Sequence, residues 1–436
     1  MFNNKKIMST LLSKIRFLLI AIMWVAGVAT ILADDGSVTP PISLNVKAGE
    51  LSSLIPESKK YKITNLKLTG ELNINDIVFI REMGACYGCD NKGCLQHLDI
   101  SDVTFVGDGS YRYDGGYYSF NVDLKTNRNI FYGSQSLQTI KLPRTLKSLG
   151  VSFLEGCDNL VSVTLPSALN DIEPFAFENC GKLTSIMIDA KNPYFHSEDS
   201  VLFNKDCTEL VLAAKLTDYV IPNSVVRIRS KAFSNCSGLT SVTFPSGLTW
   251  IGSFAFAGCS GLTSVTFPSG LTTICNDAFS GCSGLTSLIF PSGLTTIGGS
   301  AFYGCSGLTS LTFPSSLTWI GRYAFFCFDD SNIKTIYSYA SFPPRLGDNA
   351  FNDKVQQTSI LYVPKDSYQD YWLSDTWGNF ENIKTFDASA VEPVFTADDA
   401  SETSRYTVGG QKQDNPVKGL NIIKMSDGSV KKIMVK

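Results

Sequence analysis

The chain has 436 residues, 44% of them hydrophobic and 18% charged, which is too apolar for a disordered polymer and long enough to bury a large core. Its net charge of -3 argues against a nucleic-acid partner.

At the N-terminus Lys5, Lys6, Lys14 and Arg16 precede an apolar run from Phe17 to Ala33 without an acid. This pattern predicts a secretory signal peptide over residues 1–33, cleaved near Ala29 or Ala33; the alternative is a signal anchor left uncut. No cysteine lies near the cleavage site, which excludes a lipid-modified N-terminal cysteine. Losing those four positive charges takes the net charge from -3 to about -7, and no transmembrane span is expected after cleavage.

Residues 40–136 read as an irregular N-terminal cap. Leu66 and Leu68 predict a first rung, Asp76 caps a short helix running to Met83, and Leu95, Leu98 and Ile100 predict a second rung. Residues 101–134 are rich in Tyr, Gly and Asp, lack any period, and are expected to form a loop excursion.

From Leu137 to about residue 336 the chain repeats itself every 23 residues. Leu137, Leu160 and Leu183 open three units; Leu239, Leu262, Leu285 and Leu308 open four more, in the phrase L-T-S-[VL]-x-F-P-S-[GS]-L-T-x-I. Self-similarity at this spacing defines a stacked solenoid, because one coil cannot seal its own apolar side. In the unit that starts at Leu239, the residues Leu239, Val242, Phe244, Leu248, Ile251, Ala255, Phe256 and Cys259 are spaced to point inward together. The alternating L-T-S-V-T-F segment predicts one rung of a continuous parallel sheet, which Pro245 and its equivalents Pro268, Pro291 and Pro314 end because proline has no N–H to extend the ladder. The A-F-x-x-C run that follows is expected to form a single helical or 3₁₀ turn. Between Cys180 and Cys236 the spacing is 56 residues, so an extra 33 are inserted; Val201–Asn204 and Glu209–Leu212, joined by Lys205-Asp206-Cys207-Thr208, predict a hairpin inside an insert at about 187–220.

After Leu308 the period loosens, Ile333 opens the last rung 25 residues later, and a closing unit follows over 337–386, where Trp372, Trp377 and Phe380 are expected to seal the core. Residues 387–403 are polar and acidic, consistent with a linker. Three short strands with glycine turns are expected in a small C-terminal β-unit over 404–436.

The repeated phrase, with proline where other leucine-rich repeats carry Asn or Cys, resembles the BspA-like leucine-rich repeat family of bacterial surface proteins. The resemblance implies a β-rich solenoid of 23-residue leucine-rich repeats with short helical turns, capped ends and a β-insert. It also implies a binding role outside the cell. The insert is similar to one common in that family, with Ser200 where glycine is usual, and residues 337–386 resemble the family's closing unit. The tail resembles the C-terminal sorting domain of type IX secretion substrates, with Leu420 where that signal more often has an aromatic residue.

Chemistry is sparse. Cys157, Cys180, Cys236, Cys259, Cys282 and Cys305 recur once per coil on the inward side, where cysteine acts as a small apolar filler. Rungs ~4.8 Å apart fall within disulfide reach, but parallel Cβ vectors disfavour the bond, so free buried thiols are expected. Cys86, Cys89, Cys94 and His97 fall within twelve residues and leave two readings open, a tetrahedral zinc site or a disulfide between two of the three cysteines. With His97 and His196 as the sole histidines, and no G-x-S-x-G, H-E-x-x-H or phosphate loop, no cofactor and no catalytic residue are assigned. The candidate binding residues are an outward hydroxyl ribbon, Ser241, Thr243, Ser264, Thr266, Ser310 and Thr312, together with Trp250 and Trp319. Serine and threonine also simply suit an exposed strand face. The two tryptophans each precede an inward Ile and stand three periods apart, which places them ~14 Å from each other on one flank; they either face solvent or pack on neighbouring side chains. The expected protein is a secreted or outer-membrane surface monomer that binds extracellular protein or glycan; a glycan-degrading enzyme or a structural envelope component are the alternatives.

Overall fold

The computed structural model of the chain describes residues 41–87, 92–115, 118–328 and 331–387, and the strands Glu402–Thr407, Lys412–Gln413, Gly419–Met425 and Val430–Val435. The leader expected at 1–33, Cys89 and the linker residues 388–401 lie outside them.

Each repeat is a flattened coil whose three sides stack on those of its neighbours. The strand Ser241–Thr243 carries Val242 inward between outward Ser241 and Thr243. Pro245 then accepts the backbone N–H of Leu248, a turn repeated at Pro268, Pro291 and Pro314, so the proline ends the rung as its missing N–H requires. A second, two-residue rung follows at Trp250–Ile251. It joins Arg227–Ile228, Thr273–Ile274, Thr296–Ile297, Trp319–Ile320 and Arg345–Leu346 in one unbroken parallel ladder.

The third side was expected to hold a helical turn and does not. Its A-F-x-x-C run is a chain of non-helical turns in which alternate N–H groups reach the next coil, as in Phe256 N to Ala278 O and Gly258 N to Ser280 O, both 2.7 Å. The intervening N–H groups close isolated turns within the coil, Ala257 N to Phe254 O and Cys259 N to Phe256 O at 3.1 Å, and because every second N–H is spent between coils no consecutive helical ladder can form. The geometry needs a left-handed residue just before each ladder cysteine, filled by Gly258, Gly281 and Gly304 in the regular units and by Asn179 and Asn235 beside the insert.

Two phenylalanine columns fill the interior of the second half. Phe233, Phe256, Phe279, Phe302, Phe325 and Phe351 stack with centroids 4.8, 5.0, 5.3, 5.3 and 5.4 Å apart. Phe244, Phe267, Phe290 and Phe313 form a parallel column that meets the first edge-on. Beside them run the ladder cysteines, free and buried as expected. The thiols of Cys259, Cys282 and Cys305 each donate at 3.2 Å to the carbonyl of the phenylalanine one coil back. Burial pushes these thiols up, that of Cys157 to about 12. An unfolded thiol ionises near pH 8.5 whereas the buried one stays protonated, so this contribution to stability is intact below about pH 8.5 and is lost as pH rises through the folded value. Denaturant midpoints should therefore fall between about pH 9 and 11. Native protein should label only Cys94, Cys207 and Cys275 among its described free cysteines, with the six ladder thiols appearing on denaturation without reductant. An unchanged thiol count would show that the ladder is bridged.

The sheet topology departs from a single continuous ribbon. The first rungs, Ile42–Val46, Asn65–Leu72, His97–Phe105, Thr139–Lys141, Ser162–Leu165 and Ser185–Ile188, form a six-stranded parallel sheet that contains the predicted Leu66, Leu68, Leu98 and Ile100. Further on, the expected T-S-V-T ladder is interrupted at residues 264–266, which join no strand; the backbone bonds of this unit run on its other two sides, through Thr272 N to Thr249 O and Phe256 N to Ala278 O. The rungs resume at Ser287–Ile289 and continue through Ser310–Phe313, Thr335–Ser338, Ile360–Pro364 and Asn382–Phe386.

Five local expectations are refined. The helix spans Ile74–Met83 with Asn73 as its cap, and Asp76 is the reciprocal partner of a capping box. Residues 101–134 hold an antiparallel hairpin, Ser110–Gly115 with Tyr118–Asp123, where a loop was expected; Tyr113, Phe120 and Val122 give it a buried face. The insert is a three-stranded antiparallel meander, Phe195–Glu198, Val201–Asn204 and Glu209–Ala213, whose second and third strands are buried on both faces. Val201, Phe203 and Leu210 enter the second half's core, while Leu202 and Val211 enter the first's. Trp372 is 55% exposed, and Tyr371 takes its expected place against Trp377. A helical residue and its successor point to different sides, so the seal passes to the neighbour. In the tail, four strands form an antiparallel sheet where three were expected.

The first turn of the insert joins Glu198 to Val201 through Asp199 and Ser200, both left-handed at φ 47° and 62°. This is the geometry of a type I′ hairpin turn, in which glycine suits the second position. Ser200→Gly is expected to raise stability by about 0.5–1 kcal/mol, read as a higher thermal midpoint.

Candidate functional site

The unbroken two-residue ladder carries a side-chain row along the solenoid flank. In register these residues are Arg227, Trp250, Thr273, Thr296, Trp319 and Arg345. The row reads nearly the same in both directions. The inward neighbours Ile228, Ile251, Ile274, Ile297 and Ile320 are fully buried, so they hold the row on a rigid sheet.

Trp250 and Trp319 lie three rungs apart, as the sequence predicts, and both are half-buried. The cause is that each packs on an arginine. The Arg227 guanidinium carbon lies 4.3 Å from the Trp250 ring centroid, and that of Arg345 lies 5.5 Å from Trp319. Arg227 comes from the rung before Trp250, while Arg345 comes from the rung after Trp319. Each indole therefore has its outer face covered by a cation, and the two inner faces look toward each other across Thr273 and Thr296. The ring face attracts each guanidinium and holds its charge beside the indole.

Threonine hydroxyls line the adjacent column. Thr249, Thr272, Thr295 and Thr318 each donate at 3.1–3.2 Å to the backbone carbonyl one rung back. Their donors are thus consumed, while their oxygen lone pairs remain to accept. Cys275 lies beside Trp250; burial pushes its thiol up, opposed by the nearby Arg227 charge and a hydrogen bond with the indole.

The serine and threonine ribbon does face outward: Ser241, Thr243 and Ser264 are exposed, and Thr266, Ser310 and Thr312 are half-buried. The break at 264–266 divides it, so it is a less regular platform than the flank. The zinc reading is corrected. Cys86 is disulfide-bonded and offers no thiolate. Cys94 is free, with its thiol on the carbonyls of Tyr61 and Ile63, and His97 Nδ1 pairs with Thr139 Oγ1 at 3.0 Å. Burial holds the imidazole of His97 below its ordinary value. No group of three or more metal-ligating side chains exists among the described residues.

A cleft of about 250 Å³ opens where the insert parts the coils, lined by Asp158, Glu178, Asn179, Lys215, Lys231 and Asn235 among others. Lys231 is buried in an ion pair with Glu178 and lies over the rings of Phe175 and Phe254 at 4.1 and 4.7 Å. Arg227 and Arg345 were missed by sequence reasoning. The signal was available, since both hold the position before the inward Ile or Leu that singled out the tryptophans.

Stacked coils with an interior hydrocarbon and thiol column, and a rigid flank of aromatic, cationic and hydroxyl groups, define a leucine-rich repeat solenoid. The BspA type leucine rich repeat region matches residues 124–211, 210–327 and 301–384 in six copies, more than half of the chain, and the chain belongs to this family. No curated protein matches it. The pneumococcal vaccine antigen PcpA is similar in structure, at 18% identity over 82% of this chain and 81% of that one, with a TM-score of 0.46. A leucine rich cell surface protein from Faecalibacterium prausnitzii is 21% identical over 71% and 86%, with a TM-score of 0.43. A leucine-rich repeat protein from Eubacterium ventriosum is 19% identical over 74% and 93%, with a TM-score of 0.46. No helix among the described residues is long and apolar enough to cross a membrane.

Proposed function

We propose that the protein acts at the cell surface as an adhesin-like monomer that binds extracellular protein or glycan through its flank. The observation that carries this reading is the Arg227 to Arg345 row, where two half-buried indoles stand on a sheet too rigid to rearrange. Membership of the BspA type repeat family and the leader-like residues 1–33 agree with it. The antiparallel tail sheet is read as the sorting device that its sequence resembles. The competing reading, a glycan hydrolase, needs two carboxylates free to act in one cleft, and Glu178 in the cleft beside the insert is held by Lys231.

The test places the secreted chain and a Trp250→Thr/Trp319→Thr variant on protein and glycan arrays and on host cells. Thr273 and Thr296 already occupy this column, so the variant is expected to fold and to lose adhesion by about tenfold or more. Wild-type adhesion in the variant would remove the flank from the binding site. Deleting residues 406–436 is expected to abolish surface display without touching array binding by purified protein.

A further inference from the structure

The six rungs of the flank contain three arginines and no carboxylate: Val226-Arg227-Ile228-Arg229, Thr249-Trp250-Ile251-Gly252, Thr272-Thr273-Ile274-Cys275, Thr295-Thr296-Ile297-Gly298, Thr318-Trp319-Ile320-Gly321 and Pro344-Arg345-Leu346-Gly347. This occurs in a chain whose net charge is -3. Among the described residues the acid that pairs with the row's arginines is Glu209 on the preceding strand, whose carboxylate binds Arg229 Nε at 2.9 Å and approaches Arg227 Nε at 3.9 Å; Asp277 and Asp348 follow two of the rungs in sequence without an ion pair to these arginines. Arg345, at the other end, has no carboxylate partner among the described residues. The flank is therefore a cationic strip on an acidic protein, and such a strip concentrates anions.

We propose that this strip binds an acidic polysaccharide, a chain of sugars bearing carboxylate or sulfate groups. The inference rests on the surface-binding reading above and names its ligand. Four features converge on this chemistry. The inner faces of Trp250 and Trp319 are apolar plates ~14 Å apart that can take the aliphatic faces of sugar rings. The threonine floor between them offers acceptor lone pairs to sugar hydroxyls, because its outer column has already given its protons to the backbone. At each end a guanidinium lies over an indole, and its planar donor fork matches carboxylate or sulfate. The two forks stand five rungs, about 24 Å, apart, so a ligand that uses both must be a polymer carrying repeated charges. A protein partner is less well matched, since its hot-spot side chains need a deep desolvated pocket and the strip is a shallow sheet surface.

The experiment measures binding of the purified full chain to immobilised polygalacturonate, heparin and neutral dextran at low and high salt. Binding to a charged polymer, weakened by salt and absent on dextran, is expected, and the two charged polymers separate carboxylate from sulfate preference. Arg345→Gln is expected to weaken it about tenfold, and Arg227→Gln less because Glu209 already shares that guanidinium. Trp250→Thr/Trp319→Thr should weaken it comparably, while Arg322→Gln, which removes an exposed charge outside the row, should leave it unchanged. Equal losses in Arg322→Gln and Arg345→Gln would show nonspecific charge attraction and overturn the site. Binding to dextran alone, or to proteins and no polysaccharide on the arrays, would overturn the acidic ligand while leaving the surface-binding reading in place. No binding to arrays or cells by the wild-type chain would overturn both.

Discussion

Trp377→Ala is expected to cost about 3–5 kcal/mol and to unfasten the C-terminal end of the solenoid. The indole is fully buried, and its Nε1 donates to the Pro344 carbonyl at 2.6 Å. Its ring closes both phenylalanine columns at once, 6.4 Å from Phe313 and 6.1 Å from Phe351, with Tyr371 and Phe380 packed at 5.5 and 5.8 Å. Solenoid stability is a sum over neighbouring coils, so removing the terminal seal lets unfolding begin at that end. Urea denaturation should show an earlier transition with reduced cooperativity, and hydrogen exchange should rise first in Ile360–Pro364 and Asn382–Phe386. Trp372→Ala is the control. That residue is exposed, and its loss should change stability by less than about 0.5 kcal/mol. Equal effects from the two would refute Trp377 as the seal.

The contrast between these neighbours marks how far the sequence could be read. The period of 23, the inward positions and the thiol column were legible because each rests on repetition, which reports the same environment several times over. The pair Trp250 and Trp319 was legible for the same reason. What repetition does not cover was harder to read. The closing helix offers two adjacent aromatic residues, Tyr371 and Trp372, and which one faces the core depends on helix phase rather than composition. The hairpin at Ser110–Asp123 was hidden because its tyrosines and glycines resemble a loop until Arg81, packed 4.9 Å from Tyr113 and 5.3 Å from Phe120, supplies a surface beneath it. The stacked arginines were missed because Arg227 and Arg345 belong to irregular units, where the phrase itself has decayed although the register persists.

Asn192→Leu is expected to destabilise the junction between the two half-cores by about 3–5 kcal/mol, although it replaces a polar residue by an apolar one of similar size at a buried position. Asn192 is 1% exposed and uses its whole amide. Nδ2 donates to the carbonyls of Pro166 at 3.0 Å and Leu169 at 2.7 Å, which pins the turn of the preceding coil. Oδ1 accepts from the N–H groups of Tyr194 and Phe195, both at 2.8 Å, which starts the first strand of the insert. Leucine would leave the Leu169 carbonyl and two N–H groups without this partner and the Pro166 carbonyl with only the Leu169 N–H at 3.3 Å, and an unpaired buried group costs about 1–3 kcal/mol. The sum is discounted because neighbours relax and water enters. Since the meander from Phe195 to Ala213 packs against both cores, loosening its first strand should also weaken the coupling between halves. The measurable outcome is a split denaturation curve with early exchange at Phe195–Asn204. Asn192→Asp keeps the two accepted bonds but sets a carboxylate against two carbonyl oxygens, so it should be destabilising at pH 7 and partly recover below about pH 4, where a protonated carboxyl can donate. A single transition with the wild-type midpoint in Asn192→Leu would show that strand packing alone positions the insert.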